Sequence, residues 1–581
     1  MKLYFEEYVY PKALLRENLS NEVQLQYSPN GDTAKVPYVG YFFNAQINDT
    51  VFILPKVFIS ENRKAFGRYE PEKIINLSYT DNPLKTNGDD EVVFELSAWL
   101  YQAIDHFVER NASSSISQGV DIQNVRPIGE KCSKTIIEII LSLRDFQKKH
   151  RNLFTYISLI NASGNNKVHW AKTISKEQPL IKEHKPYYIQ FRNKSKVLNF
   201  NEELISLFYS VLNYLRETYH FKFQLVQGYT LLKPSKIASM IEGGKGTRLL
   251  KKIRHNYFSD ELVELWHLLY TFFEREENIC SGKPYQERLL VSKFNLVFED
   301  MIDQLISDSI VPKELKEQQD GKIVDHIYLD KSVVDTNKQI YYIGDSKYYK
   351  ETTNLGTNSI YKQFTYAKNV IQVNINLFND NKLPFNIRYR DELTEGYSIT
   401  PNFFIRGTID FTSISSAELN LQKDYNDEKP NIHFKNRLFD RDTLFLQSYN
   451  VNFLYVMSAY VSRNDNETIK RKIRTMFREN FVEFIDSKYD FWMLTPRSNS
   501  LEDAVKRNFY ELNGKIYRPS DEATYVILAL DRNADNKSLL TQINRDFDKQ
   551  KYNLRSESIK TYASIDDNIE FAAENEVEYK Q

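Results

Sequence analysis

Between Lys322 and Lys350 the chain reads KIVDHIYLDKSVVDTNKQIYYIGDSKYYK: two apolar segments, Ile323–Leu329 and Ile340–Ile343, around a polar turn containing Asp335 and Asn337. That pattern predicts a β-hairpin with a longer loop. With the turn centred near Asp335 or Thr336, Asp325 lies opposite Asp345 or one pair away. Directly opposed Cβ atoms sit ~4.5–5.5 Å apart, near enough for two carboxylates to share one cation. Side chains alternate along a strand, so Asp345 and Lys347 share a face with Ile343, while Asp325 shares one with Ile323, Ile327 and Leu329. Two acids and a lysine therefore project from otherwise apolar faces. Burying such charges costs several kcal/mol each unless they are paired or bind metal, so folding alone would not select them.

The spacing D-x19-D-x-K supplies what phosphodiester hydrolysis requires. Asp325 and Asp345, with the backbone carbonyl of Ser346, would hold Mg2+, which prefers a few carboxylates and keeps its waters. Mn2+ would serve in its place. Lys347 would orient or deprotonate the attacking water and offset charge building on the phosphate. D-x-K alone is common, and the flanking elements add to it. In the predicted helix Ser359–Ile371 the apolar stripe is Ile360, Phe364, Ala367 and Ile371, and Gln363 sits on its edge with Tyr366 as neighbour. A polar amide there needs partners. In the predicted helix Gln286–Asp308, Glu299 lies off the main stripe of Phe294, Phe298, Met301 and Leu305, near Ile302 and Ile306. An inward-facing and a solvated Glu299 both satisfy that spacing.

The chain has 581 residues, enough for three or four domains at ~150 residues each. Its 14% aromatic content can be buried against the entropy of ordering, and 18 Gly with 17 Pro exclude collagen-like and low-complexity classes. Two cysteines, Cys132 and Cys280, make neither a disulfide framework nor a zinc cluster, and are expected to be inert packing residues. The start MKLYFEEYVY lacks the apolar core of a signal peptide, and the longest apolar runs fall far short of a membrane span. The expectation is a large soluble cytoplasmic protein without a membrane partner. A net charge of −1 does not advertise a nucleic-acid binder. The charge is uneven, however: Lys233–His255 is basic against the single acid Glu242, and Asp566–Glu578 is acidic.

Along the chain, Val23–Tyr27, Val36–Ala45 and Thr50–Ile59 read as strands, and Asp81–Asp90 as a linker. Helical periodicity covers Glu91–Glu109, Ser133–Lys149, Asn201–Tyr219 and Asp260–Arg275. Val168–Ile174, Tyr397–Ser413, Asn452–Val461 and Thr524–Leu530 look like strands. The predicted fold is multi-domain α/β. A β-rich N-terminal domain (1–90), for which the resemblance described next implies partner docking, precedes a mainly helical middle region (91–280) with a basic loop at 233–255. A nuclease core (281–480) and a C-terminal α/β extension of open role (481–581) follow.

The order helix with acid, strand with Asp, strand with D-x-K, helix with Gln resembles the PD-(D/E)XK restriction-endonuclease-like core. More closely, the chain resembles the LlaJI-type restriction endonucleases, relatives of the McrC nuclease subunit. The matching pieces are FNLVFEDMIDQLI (Phe294–Ile306), the Asp325 strand, YYIGDSKYY (Tyr341–Tyr349) and YKQFTYA (Tyr361–Ala367). Upstream, YVGYF (Tyr38–Phe42), FILPKVF (Phe52–Phe58) and VHWAKTI (Val168–Ile174) are also similar to that family. The resemblance implies Mg2+-dependent cleavage of double-stranded DNA in a restriction or phage-defence system. It also implies an oligomeric complex with an AAA+ GTPase or ATPase motor of the McrB kind. By the same analogy Asp325, Asp345 and Lys347 carry the catalytic roles, with Glu299 and Gln363 supporting. Val324 departs from the proline usual before the first aspartate, and Ser346 from an apolar middle residue; neither change removes a metal ligand.

Other features are weighed beside this. Glu242–Thr247 (EGGKGT) lacks the spacing of a nucleotide-binding loop. Lys245, Arg248, Lys251, Lys252 and Arg254 are better read as a flexible basic loop touching DNA phosphate or a motor's pore. His326 is expected to point away from Asp325, and Trp170 to be core. Lys56 is equally a turn residue or a motor contact. The competing functional class is a non-catalytic adaptor that stimulates a partner NTPase through a vestigial nuclease fold, against which the intact acid–lysine trio stands. A ribonuclease, or a nuclease acting without a partner, is a third reading.

Overall fold

The computed structural model describes residues 1–554 except 20–22, 45, 48, 78, 80, 112–120, 126–133, 152–155, 162–166, 200–201, 220–222, 224–227, 281–285, 310, 318–322, 336, 349–356, 385, 412–418, 420, 424–435, 463–465 and 498–499. Cys132, Thr336 and the acidic run Asp566–Glu578 lie outside the described residues. The protein is a mixed α/β, multi-domain chain built around several sheets.

The N-terminal sheet has five strands, in the order Lys2–Phe5, Asp49–Leu54, Tyr38–Asn44, Arg288–Ser292, Ile122–Val125. Tyr38–Asn44 is buried along its whole length, as a central strand covered on both faces must be. Gly40 is required there, because a Cβ would meet the Leu289 carbonyl oxygen at 2.1 Å. One face packs into the core shared with helix Asp90–Asn111, and the other closes over Tyr4, Tyr10, Leu15 and Leu290. The linker expected at Asp81–Asp90 contains a short helix, Pro83–Asn87, capped by Asn82 and stopped at Gly88 with φ +77°. The single helix expected over Gln286–Asp308 is instead strand Arg288–Ser292 followed by helix Asn295–Ile306. Pairing to two neighbouring strands overrides local periodicity in RLLVS.

In the middle region, helices Ile136–Lys149, Glu203–Tyr219, Pro234–Glu242, Lys245–Ile253 and Asp260–Cys280 supply one packed core. The basic segment expected as a flexible loop is a pair of short helices turning at Gly243 and at Gly244, whose φ is +59°. Ile237, Met240, Ile241, Leu250 and Ile253 are buried and hold it down. Val168–Ile174 is not a strand: helix Trp170–Lys176 forms there, with His169 accepting from the Lys172 amide. Trp170 is 54% exposed rather than core, and Cys280 is exposed at its helix end rather than packed.

The second five-stranded sheet runs His326–Lys331, Gln339–Lys347, Pro401–Thr408, Phe445–Asn452, Leu421–Lys423. Its first pair is the predicted antiparallel hairpin, and the next two pairings are parallel. Helix Thr357–Asn379 makes the crossover between Gln339–Lys347 and Pro401–Thr408, while Asn295–Ile306 and Phe453–Ser462 pack together in the adjoining core. The strand expected over Asn452–Val461 stops at Asn452, whose side chain accepts from the Leu454 amide and starts the helix. FLYVMSAYVS is apolar all round, so its periodicity could not separate a buried helix from a buried strand.

Helix Asn466–Lys488 stacks Phe477 on Phe403 at 4.5 Å, then contributes Phe481, Phe484 and Ile485 to the C-terminal core. That last region is a four-stranded antiparallel sheet, ordered Ile516–Tyr517, Val526–Asp531, Tyr489–Pro496, Phe547–Lys551. Among the described residues no helix is long and apolar enough to cross a membrane.

Candidate active site

The hairpin pairs Lys331 with Gln339, Ile327 with Ile343 and His326 with Gly344, so its loop centres on Asp335. Asp325 immediately precedes this strand, one residue beyond the last pair, and its carboxyl lies close enough to that of Asp345 for the two to interact. Asp345 is 1% exposed and is bonded by the Lys347 ammonium, which also lies 5.2 Å from the Phe404 ring centre. Burial, the Asp345 charge and the shared hydrogen bond push the Asp325 carboxyl well above the usual carboxylate range, with Lys362 opposing. Two acids this close cannot both ionise cheaply without added positive charge.

Glu299, on helix Asn295–Ile306, takes the inward of its two positions. Its carboxylate accepts from Asn295 at 3.3 Å, and burial raises its pKa, with Asp345 adding to the rise and His326 and Lys347 opposing it. Gln363 is fully buried, and its side-chain amide donates to the Ile343 carbonyl at 3.1 Å, tying the crossover helix to the strand two residues before Asp345. Its Oε1 meets no hydrogen-bond partner among the described residues.

Two further groups enter from the same helix: Tyr366, noted in the sequence as the neighbour of Gln363, and Lys362, which sequence reasoning passed over. The Lys362 side chain is exposed, and its ammonium lies 5.2 Å from the Tyr366 ring centre; burial lowers its pKa, but Tyr366, Asp325 and Asp345 outweigh this and raise it. Tyr366 is raised in turn, first by burial. Their i, i+4 spacing around Gln363 was the available signal. A cavity of about 480 Å3 opens here, lined by Leu296, Glu299, Asp303, Asp325, Lys362 and Tyr366.

His326 points away from this cluster, as expected. It is buried, with Nε2 against the Ser346 hydroxyl and Nδ1 3.4 Å from Asp303. Burial pushes Asp303 upward, but His326 and Lys316, the latter at 3.3 Å, outweigh it and hold its pKa at about 2. The basic residues of the middle region are not drawn into this cluster by their described contacts. Arg248 donates to the Gly243 and Gly244 carbonyls, Lys251 lies over Tyr270 at 5.7 Å, and Arg254 over Trp266 at 5.4 Å. Lys245 and Lys252 are exposed.

Among the described residues no three His, Cys, Asp or Glu side chains form a ready metal cage. The donors on hand are two carboxylates, that of Asp325 pushed up by burial and by its neighbour, and the Ser346 carbonyl on the same strand as Asp345. That set fits a hard divalent ion that keeps most of its waters, since the missing ingredient is positive charge between two acids.

No family model matches the chain. Component YdjA of the type II restriction enzyme BsuMI from Bacillus subtilis (strain 168) is 23% identical over 309 residues, covering 48% of this chain and 63% of that protein. The match thus spans less than two thirds of the relative's length. The chain is similar, at that level, to a restriction-enzyme component. Among solved structures, a chain of the Thermococcus gammatolerans assembly of McrB AAA+ hexamers with bound McrC aligns over 82% of this chain and 99% of its own. With 11% identity and a TM-score of 0.26, that likeness carries no argument about fold.

Proposed function

We propose that the chain is the nuclease subunit of a restriction or phage-defence system, hydrolysing DNA phosphodiester bonds with Mg2+ and working with an AAA+ NTPase partner. The observation that carries the chemistry is the convergence of Asp325, Asp345 and Lys347 at the end of one hairpin, beside a cavity that Asp325 lines. Similarity to a restriction-enzyme component supports the DNA substrate. The partner rests on the resemblance of the sequence pieces to the McrC-like family.

Asp325, Asp345 and the Ser346 carbonyl would hold the ion. The chemistry that a bound Mg2+ would supply there is Lewis acidity and a water of lowered pKa. Lys347, paired with Asp345, would orient the attacking water and offset charge on the phosphate. Lys362 brings a second ammonium to the cavity wall, beside the Tyr366 ring. Gln363 keeps the strand seated on its helix, and Glu299 adds a third acid beside Asp345 and Lys347.

Plasmid nicking with Mg2+ and the cognate motor tests this reading, comparing the wild type with Asp345→Ala and Lys347→Ala. Cleavage lost in both variants is the expected outcome. Equal cleavage by all three proteins overturns the site.

A further inference from the structure

Tyr348 follows Lys347 directly, and its side chain alternates to the other face of the strand. It is 5% exposed, with its ring 5.4 Å from Phe294 and 6.1 Å from Phe298. A phenylalanine would fill that aromatic box as well. The hydroxyl instead donates to Glu6, which is 4% exposed and comes from the far end of the sequence. The backbone N–H of Lys56 approaches both, at 3.2 Å from Glu6 Oε2 and 3.1 Å from the Tyr348 oxygen. The Lys56 ammonium lies 4.9 Å from the Tyr348 ring centre and pairs with Glu7 at 2.9 Å.

These groups are delivered by the ends of two N-terminal strands. Glu6 follows Lys2–Phe5 and its amide bonds the Leu54 carbonyl, while Lys56 lies just past Asp49–Leu54. Glu7 adopts φ +54°, a left-handed conformation that non-glycine residues rarely take and that tends to persist where surroundings demand it. Burial raises both the Glu6 carboxyl and the Tyr348 hydroxyl above their ordinary values. An apolar contact would hold the two sheets together at lower cost than a buried carboxylate.

We infer that Glu6, with Lys56, is a positioning pair: it clamps Tyr348 and thereby sets Lys347 against Asp345, making the N-terminal sheet part of the acid–lysine site. The inference rests on the nuclease reading for its functional meaning, while the clamp itself is a statement about the backbone at Ser346–Tyr348. It gives any partner that shifts the N-terminal sheet a direct route to Lys347.

The test uses the full chain with Mg2+, DNA and the motor, and three variants: Glu6→Ala, Glu6→Gln and Tyr348→Phe. Amide hydrogen exchange over residues 340–348 is read beside single-turnover cleavage and the thermal midpoint. Glu6→Ala and Tyr348→Phe are expected to speed exchange at 346–348 several-fold. They should also lower the cleavage rate about 10- to 100-fold with KM for DNA unchanged. Glu6→Gln, whose amide oxygen still accepts from Tyr348 and Lys56, should return to within about twofold of wild type. Unchanged exchange and cleavage in Glu6→Ala overturn the inference, as does a Glu6→Gln variant as impaired as Glu6→Ala. If exchange responds as stated but the wild type cuts no DNA, the clamp stands and the nuclease reading falls.

Discussion

Two clusters of buried charge in this protein are built on opposite plans. Where helix Asp260–Cys280 meets the N-terminal sheet, Glu287 is sealed in beside Arg275, which reaches it through Nη2 at 3.1 Å and Nε at 3.3 Å. The Tyr41 hydroxyl and the Ile136 amide complete its shell, and Arg275 also binds Glu276. Arg275, Tyr41 and Ile136 all donate to Glu287. At the hairpin, Asp325 instead leans on another acid, Asp345, with Glu299 close by. In the first cluster both acids bond one guanidinium directly; in the second, Lys347 bonds Asp345 while Asp325 is set against that same acid.

The contrast breaks most sharply under mutation. Lys347→Ala or Asp325→Asn should lower DNA cleavage about 10^3-fold, within the range for loss of a positioned acid–base group or charge stabiliser. The denaturant midpoint of Asp325→Asn should hold or rise, because a repelling acid has gone. Single-turnover cleavage alongside urea unfolding checks both halves, and a large drop in the midpoint without loss of cleavage would invert the assignment.

Glu287→Ala should behave the other way. It leaves Arg275 buried with half its partners gone, a loss of about 3–5 kcal/mol in unfolding free energy. The folded fraction should then cut DNA at close to the wild-type rate. Urea titration and cleavage normalised to folded protein make the measurement. A stable Glu287→Ala variant would mean that the two clusters do not differ in kind.

The two plans were not equally legible. Asp325 lying close to Asp345 follows from spacing around a single turn, a local property that one stretch of sequence carries, and the Lys347 face follows from alternation. Glu299 had two allowed orientations because helical spacing alone does not say what packs against its flank. The Arg275–Glu287 joint closes through Tyr41, 246 residues away, and the Glu6–Tyr348 contact spans 342, so neither leaves a local trace. The helix–strand errors have the same origin. Arg288–Ser292 became a strand because two distant strands were there to pair with it, and Phe453–Ser462, apolar on every side, carried no period to read.

Lys362 sharpens the comparison from inside the site, since it is the cation nearest to balancing Asp325 from the crossover helix. Lys362→Ala should lower the cleavage rate about 30-fold, roughly 2 kcal/mol, a smaller effect than loss of Lys347. Raising Mg2+ should recover part of it, because the lost ammonium and the ion offset the same carboxylates. A Mg2+ titration of cleavage rates decides this, and a Lys362→Ala enzyme with the wild-type rate at every Mg2+ concentration would remove Lys362 from the site.

The smallest effect concerns an acid on that cavity wall whose charge is already matched. Asp303, Asp325 and Glu299 line the same space, yet Asp303 is held at about 2 while the other two are pushed up. Its neighbours explain the split: His326 and Lys316 face it, and Ser307 adds a hydrogen bond. A depressed carboxyl lends stability that is fully present above its unfolded value, near 3.8, and is lost as pH falls through about 2. With Asp303 partly exposed to solvent, the contribution is about 1 kcal/mol. Between pH 5 and pH 2 the wild type should therefore lose about that much more unfolding free energy than Asp303→Asn, and parallel curves would place Asp303 with the uncompensated acids instead.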